Sequence, residues 1–298
     1  MTPSSKKLIV GGVLVSVCLV VGTLYFFLTR EEEVFIPPPV PVPETPVKSE
    51  VRHSVVGTSV EGRNINAYTY GDGAKRVLFV GGIHGGYEWN SVLLAYTYMD
   101  YLAKNLSTIP AGVSVTVIPS ANPDGLYRIT GKEGQFTTAD VVENSVTAAA
   151  ARFNANGVDL NRNFDCKWKP ESTWRGNIVS AGTSAFSEPE AQAIRDFVLA
   201  HDPVAVVFWH SQSNAVYASE CEEGILPATR AVMNTYATAA QYPAVDTFDA
   251  YEITGDAEGW LASIDIPAIT VELSTHETIE WERNLAGSTA LLKYLSTP

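Results

Sequence analysis

His84 stands in the octapeptide Gly-Gly-Ile-His-Gly-Gly-Tyr-Glu at 81–88, where an apolar run ends in glycines and Glu88 follows four residues later. An imidazole and a carboxylate at the C-terminal edge of a buried strand can converge on one cation. Zinc takes imidazole nitrogen at about 2.0–2.1 Å and carboxylate oxygen at about 2.0–2.2 Å. Taken alone, the pattern also suits a histidine that merely caps the turn. His210 changes the balance, because it too ends an apolar run, Val-Ala-Val-Val-Phe-Trp at 204–209. Two histidines and one acid make the open three-ligand set of a catalytic zinc, with a fourth position left for water. The other histidines fit less well. His53 opens the folded region, His201 falls near a helix C-terminus where its charge suits the dipole, and His276 lies in a polar loop.

Residues 152–164 read Arg-Phe-Asn-Ala-Asn-Gly-Val-Asp-Leu-Asn-Arg-Asn-Phe. Asn and Gly favour turns, so a surface loop is the plain reading. Yet Asp159 offers a carboxylate able to orient a ligand imidazole. Asn161 with Arg152 and Arg162 offers a fork for a substrate carboxylate, the bidentate task that suits arginine. Glu272 sits inside Ile-Thr-Val-Glu-Leu at 269–273. A carboxylate flanked by β-branched residues is either buried and paired or functional, and function is the expectation here. His-Gly-Gly at 84–86 also looks like the oxyanion loop of serine esterases, which requires a G-x-S-x-G elbow. Gly-Thr-Ser-Val-Glu at 57–61 and Gly-Thr-Ser-Ala-Phe at 182–186 both lack the final glycine, so that chemistry is set aside.

Several elements must position these groups. Residues 76–83, 113–119, 204–209 and 268–273 read as strands, three of them short apolar runs and one with alternating faces. Residues 89–102 carry apolar side chains at helical spacing, and a last helix is expected near 280–295. Ser187-Glu188-Pro189-Glu190 predicts a capping box opening a helix that runs to about Ala200. Strands alternating with helices predict a three-layer α/β/α domain with a mixed, mostly parallel central sheet. The 298 residues suffice for a real core, and three cysteines cannot form a disulfide framework. Acids outnumber bases 33 to 20, and the first fifty positions hold only 5 and 4 of them, so the acidity belongs to the folded part. Such a charge repels phosphate backbones and argues against a nucleic-acid partner.

The first fifty residues read as a mounting. Positions 8–28 are 21 residues without a charge, preceded by Lys6 and Lys7 and followed by Arg30 and three glutamates. As a helix this would span about 31 Å, the hydrocarbon thickness of a bilayer. The length exceeds a secretory h-region and the exit lacks small residues, so an uncleaved single transmembrane helix is expected. The positive-inside rule leaves 1–7 in the cytoplasm and the rest outside it, at the cell membrane. Positions 29–50 are a charged and proline-rich tether, and the catalytic domain is expected at 51–298.

Together the clusters resemble the zinc metallocarboxypeptidases of the carboxypeptidase A-like family. The similarity rests on His84 with Glu88, Asn-Pro-Asp-Gly at 122–125, the Val158–Phe164 run, Ser-Glu-Pro-Glu at 187–190, Trp-His-Ser at 209–211, Tyr251 nine residues before Trp260, and Glu272-Leu273. The resemblance implies one zinc per chain, held by His84, Glu88 and His210. It implies that Asp159 holds the far nitrogen of His84. Glu272 would be the general base that takes a proton from the attacking water and passes it to the leaving amine, and Arg152 would steady the oxyanion. Asn161, Arg162 and Tyr251 would clasp the substrate's terminal carboxylate. One departure stands out: the family usually has two residues between its first His and Glu, and here there are three. Gly85 and Gly86 can absorb the extra residue by taking positive φ.

In relatives, residues just after the tyrosine line the pocket for the leaving side chain. Asp256 and Glu258 there predict a leaving residue that carries an amine, either Lys or Arg or the diaminopimelate of cell-wall peptides. Cys166 and Cys221 lie close to site elements, and an oxidising compartment would join them in a disulfide, free thiols being the alternative. The leading expectation is a membrane-anchored zinc carboxypeptidase acting on a peptide or cell-wall peptide. A deacylase or amidase on the same scaffold, and a silent surface binding module supported only by the altered His–Glu spacing, are the alternatives.

Overall fold

The computed structural model describes residues 51–142 and 145–297. In chain order the strands are β1 (Arg52–Thr58), β2 (Asn64–Tyr70), β3 (Lys75–Val80), β4 (Val113–Ile118), β5 (Glu171–Trp174), β6 (Asn177–Ser180), β7 (Ala205–Ser211), β8 (Ala215–Ala218), β9 (Ala244–Val245) and β10 (Ala268–Leu273). The helices are α1 (Trp89–Lys104), α2 (Pro123–Thr130), α3 (Ser145–Ala150), α4 (Pro189–His201), α5 (Pro227–Ala240), α6 (Ala257–Ser263) and α7 (Trp281–Ser296). One eight-stranded sheet runs β1-β2-β4-β3-β7-β10-β8-β9, and β5 with β6 makes a separate hairpin. The central run β4-β3-β7-β10 is parallel throughout, β2 and β8 join it antiparallel, and β1 pairs antiparallel with β2.

Strand alternation sorts the side chains into two cores. Val77, Phe79, Val207, Trp209, Ile269 and Val271 face α1, α5 and α7. Leu78, Val80, Val206, Phe208 and Ala268 face α4 and α6. Each large side chain so covered contributes about 1.5–3 kcal/mol, which is why the centre of the sheet reads as unbroken apolar runs. The predicted three layers and mixed sheet are therefore observed. His210, Thr270 and Glu272 continue the even-numbered series, so the two-residue period puts them on the α4/α6 face at the strands' C-terminal ends. Ligands gather at that edge in open α/β sheets.

Some local expectations need correction. The capping box at Ser187 does not form: Glu188 is the N-cap of α4 and provides no side-chain cap. Ser187 Oγ donates to Glu188 Oε1 at 2.7 Å, and Glu190 accepts from Val60 N at 3.0 Å and from Asn154 Nδ2 at 3.1 Å. Both acids are drawn into bracing the Asn154 turn instead of the helix end. The expected anchor at 8–28 and tether at 29–50 lie outside the described residues. Among the described residues no helix is long and apolar enough to cross a membrane.

Cys166 and Cys221, 55 positions apart in sequence, are joined in a disulfide with Cα atoms 6.0 Å apart. It ties the loop after Arg162 to the segment following β8. Closing a loop of that length is worth about 4 kcal/mol through the unfolded chain. Replacing both cysteines by serine is expected to lower the unfolding free energy by about 2–5 kcal/mol, read from urea midpoints with the slope held constant. An unchanged midpoint would show that the bridge contributes nothing.

Candidate active site

The site is assembled from a turn, two strand ends and two loops. After β3 the chain turns through Gly82 and Gly85, whose φ values are +63° and +49°. A Cβ on Gly85 would lie 2.6 Å from Ala151 O, and one on Gly86 would lie 2.6 Å from Gly125 O. Gly85 thus takes the positive φ expected of the longer spacing, whereas Gly86 serves close packing alone. The turn over Gly85–Glu88 is a single 3₁₀ turn, which brings Glu88 back beside His84. From the facing strand comes His210, and its ring lies 4.9 Å from that of His84.

His84, Glu88 and His210 each offer a ligand atom, and these atoms all lie within 4.8 Å of one another. His210 Nδ1 is 3.2 Å from Glu88 Oε2. Two ligands each about 2.1 Å from a shared ion at a tetrahedral angle stand roughly 3.4 Å apart, so this spacing fits zinc. All three residues are buried, and His84 Nδ1 is an enclosed nitrogen with no hydrogen-bond partner. Burial, followed by the Arg152 charge, holds His84 well below the usual histidine range, and a neutral imidazole is the form that ligates. At His210 burial works the same way, but the Glu88 and Glu258 carboxylates outweigh it and raise the imidazole well above its ordinary value. The residues present fit a zinc ion.

Glu272 reaches the same point through sheet register. In the parallel pair of β7 and β10 it stands directly opposite His210. Ser213 N donates to its Oε2 at 3.2 Å. Burial and then the Glu88 charge push its carboxyl up to about 7, a value suited to taking and returning a proton near neutrality.

Arg152 is 3% exposed and held on three sides. Its Nε and Nη2 both donate to Asp159 Oδ2 at 2.9 Å, Trp174 covers its face at 4.6 Å, and Nη1 points to Glu88 Oε1 at 3.8 Å. Asp159 therefore serves Arg152 first. Its Oδ1 lies 3.5 Å from His84 Nδ1, so the expected partner stands beside that ring, within ion-pair distance but without a hydrogen bond. That oxygen instead accepts from Asn161 N at 3.2 Å, and the two arginine bonds fix where the carboxylate can lie.

Asn161 Oδ1 accepts from Ala257 N at 2.8 Å and so fixes the start of α6. Arg162 Nη1 donates to Asn161 O at 2.6 Å and its Nη2 to Thr173 O at 3.3 Å. Both residues line a cavity of about 390 Å³, together with Arg152, Tyr251, Asp256, Glu272 and the three candidate ligands. Tyr251 is half-buried, and burial raises its hydroxyl above the ordinary range.

The two predicted specificity acids differ. Asp256 lines the cavity as the N-cap of α6, accepting from Gly259 N at 2.7 Å, and burial followed by the Glu258 charge pushes it up to about 6. Glu258 also borders the cavity, but its Oε1 meets His210 Nε2 at 3.1 Å and accepts from Thr270 Oγ1 at 3.0 Å. Glu258 is thus a positioning residue for His210, a correction to its expected role as a free substrate acid. His276, read above as part of a polar loop, also lines the cavity with Tyr87, Trp174 and Arg175, and no periodicity announced that group.

A zinc carboxypeptidase family model matches residues 45–282, and the chain belongs to this family. It is 25% identical over 240 residues to a gamma-D-glutamyl-L-diamino acid endopeptidase of Lysinibacillus sphaericus, covering 74% of this chain and 60% of that one. It is 26% identical over 255 residues to carboxypeptidase B of Helicoverpa zea, covering 78% of this chain and 58% of the other. The chain thus spans about three-fifths of the length of these two relatives. Among solved structures, the murein-tripeptide amidase of Escherichia coli O157 shares the fold at a TM-score of 0.57 and 23% identity, over 83% of this chain and 92% of that one.

Proposed function

We propose that this chain is a zinc peptidase that removes a C-terminal residue bearing a side-chain amine, the diaminopimelate of a cell-wall peptide being the substrate class favoured. The carrying observation is the register of β7 and β10, which sets Glu272 beside His210 inside the cavity that holds the candidate metal triad. A bound zinc supplies Lewis acidity, polarising the scissile carbonyl and making a water acidic enough to attack at neutral pH. Glu272 accepts the proton of the attacking water and returns it to the leaving nitrogen. Arg152, pinned by Asp159, donates to the developing oxyanion. Asn161, Arg162 and Tyr251 receive the terminal carboxylate, and Asp256, which lines the same cavity, receives the distal amine. The names of the endopeptidase and the amidase, which specify a diamino acid and murein, support the cell-wall class. Carboxypeptidase B supports the second reading, a peptidase for α-linked C-terminal Lys or Arg.

The test compares release of the last residue from γ-D-glutamyl-diaminopimelate peptides with release from α-linked peptides ending in Lys or Phe. The diaminopimelate peptide is expected to be cleaved with a kcat/KM at least about tenfold above the Phe peptide, in a chelator-reversible reaction, since one buried charge contact is worth roughly 1.5–3 kcal/mol. Equal turnover of Phe and Lys peptides would dispose of the amine preference. The apolar stretch at 8–28 is proposed as an uncleaved anchor that leaves this domain outside the cytoplasm. The disulfide supports that side, since such bonds persist in oxidising compartments.

A further inference from the structure

The cavity has a second pole that the mechanism does not use. Glu258 meets His210 Nε2, whereas Glu88 meets the other nitrogen of that imidazole, Nδ1. Tyr87 stands next to Glu88 and lines the same cavity. Its ring meets Trp174 at 5.0 Å and His276 at 4.6 Å, both edge to face. Arg175, at the tip of the β5–β6 hairpin, donates from Nη1 to the Tyr87 hydroxyl at 3.0 Å. Among the described residues no carboxylate lies within ion-pair distance of Arg175, in a chain with 33 acids against 20 bases. Its φ is +51°, followed by Gly176 at +78°, the two-residue hairpin turn that ordinarily takes Asn-Gly.

The hydrogen bonds around Tyr87 fix what this pole can bind. Asn90 Nδ2 donates to Thr275 O and Thr278 O, so its Oδ1 is the acceptor for the Ser211 hydroxyl at 3.0 Å. With its proton so placed, Ser211 Oγ accepts from His276 Nδ1 at 2.7 Å, which locks that imidazole against the Tyr87 ring. His276 is a brace, not a ligand. The Tyr87 oxygen accepts from Arg175 and keeps its own proton to donate. A guanidinium and a phenol O–H side by side, the first with donors to spare, form a carboxylate receptor.

We propose that Arg175 and Tyr87 bind a free carboxylate on the residue at the acyl side of the scissile bond. This inference rests on the peptidase reading above. With the amine of the leaving residue at Asp256, the acyl residue extends past the candidate metal triad towards Tyr87 and Arg175, which line the same cavity. A γ-linked glutamyl residue presents its free α-carboxylate there, one bond set away from the reacting carbonyl, as does an α-linked glutamate through its side chain.

Paired substrates test it: a γ-D-glutamyl-diaminopimelate peptide and its α-carboxamide counterpart, identical except for that charge. The expected kcat/KM ratio favours the acid by about 10–100-fold, carried in KM, the scale of a hydrogen bond to a charged group. Arg175→Ala collapses the ratio towards one, Tyr87→Phe lowers it a fewfold, and Arg175→Lys restores part of it. Damage to the fold would lower both substrates and leave the ratio standing. Calorimetric binding of the two uncleaved peptides to Glu272→Gln reads the same preference without turnover. A wild-type ratio near one, or a ratio unmoved by Arg175→Ala, overturns the proposal. Failure to cleave any γ-linked peptide, with α-linked peptides cleaved, would remove the cell-wall reading alone. The same ratio is then measured on α-linked Glu-Lys against Gln-Lys, where indifference to Arg175→Ala is again fatal.

Discussion

Glu272→Gln is expected to lower kcat by about 10²–10⁴-fold while the domain retains its zinc. The amide keeps the size of the side chain and can still face Ser213 N, but it takes no proton. As the proposed base, Glu272 would serve the proton-transfer step and not the triad, so metal content and thermal stability should move little. Dialysis against metal-free buffer followed by zinc analysis, with single-turnover kinetics on the same sample, separates the two effects. Full activity with Gln at 272 would show that another group moves the proton. The neighbouring carboxylates make poor substitutes, because Glu88 faces His210 Nδ1 and Glu258 is committed to His210 Nε2 and Thr270.

The second large effect is expected from His210→Ala, which should abolish zinc retention and with it the activity. Two ligands remain where three were, and a three-ligand set is the minimum that catalytic zinc sites use. The loss is compounded by electrostatics. Glu88 and Glu258 approach the two edges of one imidazole, and without it two buried carboxylates face each other across an empty space. Zinc stoichiometry after competition with a chelator is the direct measurement. A stoichiometric zinc content in His210→Ala would remove the triad assigned here. A merely unfolded variant is recognised by the loss of the native circular-dichroism signal, and His210→Gln, which keeps bulk and polarity, then serves as the comparison.

The parts of this site that lie on central strands were legible in the sequence. Apolar runs ending in a titratable residue are rare, and His84, His210 and Glu272 each end or interrupt one. Once the strands are parallel neighbours, those ends must meet, so the meeting of His84, His210 and Glu272 was foreshadowed by pattern, while the full ligand set and the role of the base came from the family resemblance. Partner choice within the site was not legible. Asp159 was expected on His84 and lies 3.5 Å from its Nδ1, but the two bonds that Arg152 makes to it from seven residues upstream were not foreseen. Glu258 was read as a specificity acid because it follows Tyr251 at a suggestive distance. Its true neighbour, His210, is fixed by how α6 packs on the even-numbered face of β7, which no local spacing encodes. Tyr87, Trp174, Arg175 and His276 come from three separate loops, and loops carry no period from which a meeting point could be inferred.

The rung shared by His210 and Glu272 also separates two kinds of change open to this scaffold. Bond-breaking parts are locked to one another by backbone pairing in the middle of the sheet, where a single-residue slip would turn a side chain to the opposite core. The groups proposed to read what lies on either side of the bond come from the β5–β6 hairpin and the segment before α6, which lie outside that rung. Exchanging the hairpin tip at 174–177 or the segment at 247–256 for another of the same span can therefore redirect which peptides are trimmed, leaving the hydrolytic engine in place.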